Sequence, residues 1–134
     1  MKYALSLVLA AFVSTTALSQ DADDLLGGDT IVSAEEVSLE DFRWLKRALV
    51  VFADTPEDPN FQQQMRYIED RLAALEARDV VVVTDTDPAA RTDIRRELRP
   101  RGFGLVLVGK EGSIVMRKPT PWDIREITRA IDKN

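Results

Sequence analysis

The stretch Ala48-Leu49-Val50-Val51-Phe52-Ala53, followed at once by Asp54-Thr55-Pro56-Glu57-Asp58-Pro59, decides the fold. An unbroken apolar run bounded by polar residues suits a strand buried on both faces, because a strand with one wet face alternates instead. The polar segment after it offers two helix starts, Thr55-Pro56 and Asp58-Pro59, each an N-cap residue followed by a proline whose fixed φ fits the first helical position. Phe61, Met65, Ile68, Leu72 and Leu75 then recur at alternating four- and three-residue spacing, which predicts one long amphipathic helix. Val80 to Val83 is a second all-apolar run. Strand, helix and strand in this order form a right-handed parallel crossover.

Working outward from that unit, Asp87-Pro88 can cap a further helix with Ala90, Ile94 and Leu98 facing inward, ending before Pro100. Phe103 to Val108 and Ser113 to Arg117 are β-rich and flank Gly109-Lys110-Glu111-Gly112, so they predict an antiparallel hairpin. Thr120-Pro121-Trp122-Asp123 has the form of a capping box, and Ile124, Ile127 and Ile131 line one face of a closing helix. The order is β-α-β-α-β-β-α, an α/β domain with a mixed four-stranded sheet and helices on both faces. Upstream, Ser38-Leu39-Glu40-Asp41 predicts a capped turn that packs Phe42, and Trp44 with it, onto the start of the domain at residue 38.

The N-terminus reads as a signal peptide over residues 1–19. Lys2 supplies the basic end, Ala4 to Val13 the apolar stretch, and Ala17-Leu18-Ser19 a small-residue cleavage site before Gln20. That apolar stretch is shorter than the roughly 20 residues a spanning helix needs, so no stable membrane insertion is expected after processing. Residues 20–37, with Asp21, Asp23, Asp24, Gly27, Gly28 and Asp29 and little apolar periodicity, read as an acidic flexible leader. The expected destination is periplasmic or extracellular.

The net charge is -5, and cleavage would remove the positive Lys2. An acidic chain is a poor match for nucleic acid or an anionic membrane, which require concentrated positive charge. The sequence contains Cys 0 and His 0. Those absences remove Ser/His/Asp and Cys/His nucleophile systems, zinc sites built on His or Cys, haem and iron–sulfur ligation, and paired-cysteine redox chemistry. No cofactor is expected. Carboxylate chemistry, oxygen-ligand cations and plain binding stay open.

Arg78-Asp79-Val80-Val81-Val82, the run Gly102-Phe103-Gly104-Leu105-Val106-Leu107-Val108-Gly109-Lys110-Glu111-Gly112 and the closing Ile131-Asp132 resemble the family called domain of unknown function 4174. The strand-turn Leu107-Val108-Gly109-Lys110-Glu111-Gly112 is the most specific of these. The resemblance, covering about Leu39 to Asp132, implies a thioredoxin-like scaffold, and the element order agrees. In thioredoxin-like enzymes the reactive cysteines sit between the first strand and first helix, here Asp54 to Asn60, where this chain has no thiol. Redox members also place a proline just before the first hairpin strand, and Pro100 lies too early for that position.

Two sets of residues are candidate sites. Asp54, Asp85 and Asp87 stand at the ends of the two parallel strands, the edge where open α/β sheets bind ligands, and form a candidate divalent-metal group. Asp87 has a simpler role as an N-cap before Pro88. The other set is a partner-binding edge for a protein or peptide: Glu57 and Asp58 on one side, Arg99 and Arg101 on the other, with Phe61 or Phe103 as apolar anchor. The basic run Arg95, Arg96, Arg99, Arg101 otherwise reads as a solvated helix face paired with Asp93 and Glu97. Trp44 and Trp122 read as partial core residues at the domain edge.

Overall fold

The computed structural model describes residues 29–133. The signal-peptide reading and the leader up to Gly28 lie outside the described residues. Five strands, β1 (Ile31–Ser33), β2 (Arg47–Phe52), β3 (Val80–Asp85), β4 (Gly104–Val108) and β5 (Ile114–Lys118), form one sheet in the order β1-β3-β2-β4-β5. The two apolar runs lie side by side in parallel, Leu49 opposite Val82 and Phe52 opposite Asp85. On its other side β2 pairs antiparallel with β4, Leu49 opposite Leu107 and Phe52 opposite Gly104. β4 and β5 are the expected hairpin, whose turn uses Gly112 at φ +97°, a left-handed conformation that glycine adopts without steric cost.

Helices on both faces explain why β2 and β3 do not alternate. One core gathers Leu49, Val51, Val82 and Leu105 under Ile68, Leu75 and the stripe Ile124, Ile127, Ile131. The other gathers Val50, Phe52, Val83 and Val106 under Ile94 and Leu98. The helices carrying these residues are α1 (Pro59–Asp70), α2 (Leu72–Glu76), α3 (Asp93–Leu98) and α4 (Ile124–Asp132). No helix among the described residues is long and apolar enough to cross a membrane.

The structure corrects the sequence reading of the elements and their packing at several points. The sheet has five strands, not four, because Ile31–Ser33, read as leader, pairs parallel with β3 and Ala34 N donates to Thr84 O at 2.9 Å. A three-residue edge strand borrows its order from its neighbour and leaves no periodicity of its own. The long helix breaks at Arg71 (φ −135°, ψ 38°), although no proline or glycine marks the site. Asp87 caps only a 3-10 turn, Pro88–Ala90, which leaves Ala90 exposed; α3 starts afresh when Thr92 accepts from Arg95 N. Asp123, not Thr120, caps α4 by accepting from Glu126 N at 3.1 Å. Trp44 is no core residue: it is 67% exposed, whereas Trp122 packs partly buried as expected.

Candidate functional site

Because β2 and β4 are antiparallel, the chain leaving β2 and the chain entering β4 meet at one end of the sheet. A Cβ at Gly104 would stand 3.9 Å from Pro100 Cβ and 4.0 Å from Phe52 Cβ, so these three residues converge there. Asp54, Thr55, Pro56 and Glu57 emerge from this end exposed. The segment is held locally: the Thr55 hydroxyl donates to Glu57, and Asp58 accepts from Asn60 N at 2.8 Å as the N-cap of α1, with Pro59 in the first turn.

Behind the segment lies a buried ion pair. Asp85 ends β3 with its side chain 2% exposed, and Arg95 on α3, 12% exposed, meets its Oδ1 through Nη2 at 2.8 Å and Nε at 3.1 Å. Arg95 Nη2 also donates to the carbonyls of Ala53 at 3.0 Å and Asp85 at 3.1 Å. Thr92 Oγ1 donates to Asp85 Oδ2 at 2.6 Å while capping α3 through Arg95 N at 3.0 Å. The guanidinium stands 5.4 Å from the Phe52 ring centroid. One arginine therefore ties the carbonyl just past β2 to the last carbonyl of β3, immediately before the chain departs into Asp54. Buried charge is tolerated here because no buried side-chain polar atom among the described residues lacks a partner.

The predicted metal carboxylates are not brought together as a ligand set. Asp85 is occupied by Arg95 and Thr92, Asp87 accepts from Ala89 N at 3.1 Å as a cap, and Asp54 is exposed. Among the described residues no group of three or more acidic side chains is placed to hold a cation. Of the predicted partner-binding residues, Glu57, Arg99 and Arg101 are exposed and Asp58 is half-buried. Arg99 and Arg101 have no ion-pair partner among the described residues. Phe103 is corrected: at 8% exposed it belongs to the core, because its side chain faces the helices rather than the rim. Phe61, partly buried on α1, is the aromatic residue left near the surface.

Two buried polar side chains at or near the site are not evident from the sequence. Arg95, in a run that reads as a solvated face, is the buried partner of Asp85; an acid ending an otherwise apolar strand is the signal for it. Of that face, Arg96 does pair with Asp93. Gln64 is fully buried, and its amide clasps the backbone of Trp122, donating to O at 2.8 Å and accepting from N at 2.9 Å. Its place on the stripe of Phe61 and Ile68 was the hint. At the opposite end of the sheet, the Lys110 ammonium donates to Asp79 and holds its carboxyl below the usual carboxylate range, as Arg78 does for Asp132.

A parallel pair extended by an antiparallel hairpin, with helices on both faces and a loop after the central strand, defines a thioredoxin-like domain, here one without cysteine. Solved structures of this fold resemble it. The reduced 2-Cys peroxiredoxin of Plasmodium vivax is 14% identical with a TM-score of 0.61, over 72% of this chain and 82% of that one. Desulfothioredoxin from Desulfovibrio vulgaris Hildenborough is 20% identical with a TM-score of 0.55, over 78% and 97%. Chloroplastic thioredoxin z, described as having a type-specific target recognition, is 18% identical with a TM-score of 0.50, over 87% and 90%. At such identities the likeness is one of fold. The chain belongs to the domain of unknown function family DUF4174, whose model matches residues 38–134. β1 thus precedes the matched region. No curated protein matches the sequence.

Proposed function

We propose that this is an exported binding module, which recognises a protein or peptide at the edge formed by Asp54 to Asn60 and Arg99 to Phe103 and performs no thiol chemistry. The observation that carries the reading is the Arg95–Asp85 pair behind the thiol-free loop. Where thioredoxin-like enzymes keep a reactive cysteine, this chain has an exposed segment whose root is bonded to a buried arginine and whose far end is capped. A segment ordered in advance loses less entropy when it binds. Asp54, Glu57 and Asp58 face the partner with one sign and Arg99 and Arg101 with the other, an arrangement that fixes orientation more than it adds affinity. The thioredoxin-like scaffold is consistent with target recognition, as named for thioredoxin z.

The test has two arms. A binder is captured from the envelope fraction, and its affinity is measured for Glu57→Lys and Arg101→Glu variants that remain folded by circular dichroism. Weakening by both, with Arg125→Glu on α4 binding like the unmodified chain, supports the assignment; the reverse pattern refutes it. For export, mass spectrometry of the mature protein should show a chain starting near Gln20, and a soluble cytoplasmic pool retaining Met1 would contradict that part.

A further inference from the structure

The exposed large hydrophobic residues among the described ones, Trp44 (67%), Leu45 (68%) and Ile114 (48%), all lie at the end of the sheet opposite the loop after β2. Trp44 and Leu45 precede β2, and Ile114 opens β5 opposite Val108, which itself pairs with Ala48 near the start of β2. Trp44 adopts φ +71°, a left-handed conformation that a bulky side chain rarely takes. Its backbone is held there by Trp44 N donating to Lys110 O at 2.6 Å. The indole has no core to enter, and the Arg43 guanidinium stands 5.3 Å from its ring centroid. Strain of this kind persists where the surroundings impose it, and it gathers at working surfaces.

Beside this tryptophan is a groove of about 130 Å³ floored by Phe42, Ala48 and Val108. Lys46 rims it from the segment before β2, and Glu97 rims it from α3. Neither side chain has an ion-pair partner among the described residues; Lys46 acts only through space on Asp79. A projecting aromatic ring beside a groove with an apolar floor, whose charged rim holds the Arg43–Glu40 pair and one unpaired charge of each sign, is complementary to itself under a two-fold axis.

We propose that a second copy of this chain docks here, the Trp44 ring of each entering the groove of the other and each Lys46 meeting the partner's Glu97. The inference is independent of the proposed recognition edge, which lies at the far end of the sheet and would be left open twice, giving a bivalent module. Tryptophan is among the residue types enriched at the contacts that dominate such interfaces.

The experiment is sedimentation velocity on the purified chain over a concentration series. A reversible monomer–dimer equilibrium is expected, with tryptophan fluorescence shifting to shorter wavelength as the dimer fills. Trp44→Gly suits the left-handed backbone, so the variant should melt no lower than the unmodified chain while its dimer weakens about thirtyfold or more, the scale of a dominant contact. Lys46→Glu and Glu97→Lys should each weaken the dimer, and the double exchange should restore it. A chain monomeric throughout the series overturns the proposal, as does a dimer unaffected by Trp44→Gly. A strictly monomeric chain that floats with phosphatidylserine vesicles, or captures a different protein, in a Trp44-dependent way would overturn it in favour of that occupant.

Discussion

Arg95→Ala is the perturbation that bears most directly on how the loop after β2 is held. Truncation removes both contacts to Asp85 Oδ1, at 2.8 and 3.1 Å, and the bonds to the carbonyls of Ala53 and Asp85. Asp85 keeps the Thr92 hydroxyl on Oδ2 and only a long contact from Asp87 N, 3.4 Å, on Oδ1. A carboxylate 2% exposed cannot turn to water instead. Removing one partner of a buried ion pair costs about 3–5 kcal/mol, mostly because the other charge is left uncompensated. A small domain has about 5–15 kcal/mol in total, so the variant should sit near the threshold of folding. At about 4–8 °C per kcal/mol for a domain of roughly this size, its melting point should fall by about 12–40 °C. Urea unfolding followed by circular dichroism measures the loss, and a second variant separates its causes. Replacing both partners, Arg95→Met with Asp85→Leu, leaves no orphaned charge and should unfold at a higher urea concentration than Arg95→Ala alone. Arg95→Ala within about 1 kcal/mol of the unmodified chain would refute the reasoning, since that is the ordinary worth of an exposed pair.

Gln64→Ala should lower stability by about 1–3 kcal/mol, because it removes two hydrogen bonds and strands the N–H and C=O of Trp122 in a partly buried setting. Urea unfolding checks it, and a loss under about 0.5 kcal/mol would mean that water replaces the amide. Stability should be nearly flat around neutral pH, since the chain has His 0, and should decline in acid. The sign follows from Asp79 and Asp132, whose hydrogen bonds from Lys110 and Arg78 depress their pKa values. Their contribution is present above the ordinary carboxylate range and is lost as pH falls through the depressed values. A urea midpoint unchanged between neutral pH and about pH 3 would contradict this.

Much of the fold could be read because its strands and helices carry their own patterns. Leu49 to Phe52 and Val80 to Val83 announce a doubly covered parallel pair, and Ile124, Ile127 and Ile131 announce the helix that covers it. What escaped was order imposed from outside the segment. Ile31–Ser33 becomes a strand only because β3 offers an edge, and Arg71 breaks a helix whose apolar spacing continues unbroken. At the candidate site, the position of the loop and the exposure of Glu57, Arg99 and Arg101 were legible from connectivity. The inward turn of Phe103 and the pairing of Asp85 with Arg95 were not, because both depend on which side of a short element faces the sheet. Gln64 illustrates the same limit: a polar residue on an apolar stripe signals a buried partner without saying which backbone it clasps.

The most direct test of the recognition edge is amide hydrogen exchange of the chain with and without a captured partner, read segment by segment. The account predicts slowed exchange in Asp54 to Asn60 and in Arg99 to Phe103, with α4 unchanged. Protection confined to α4, or spread evenly over the domain with these two segments unaffected, would contradict it.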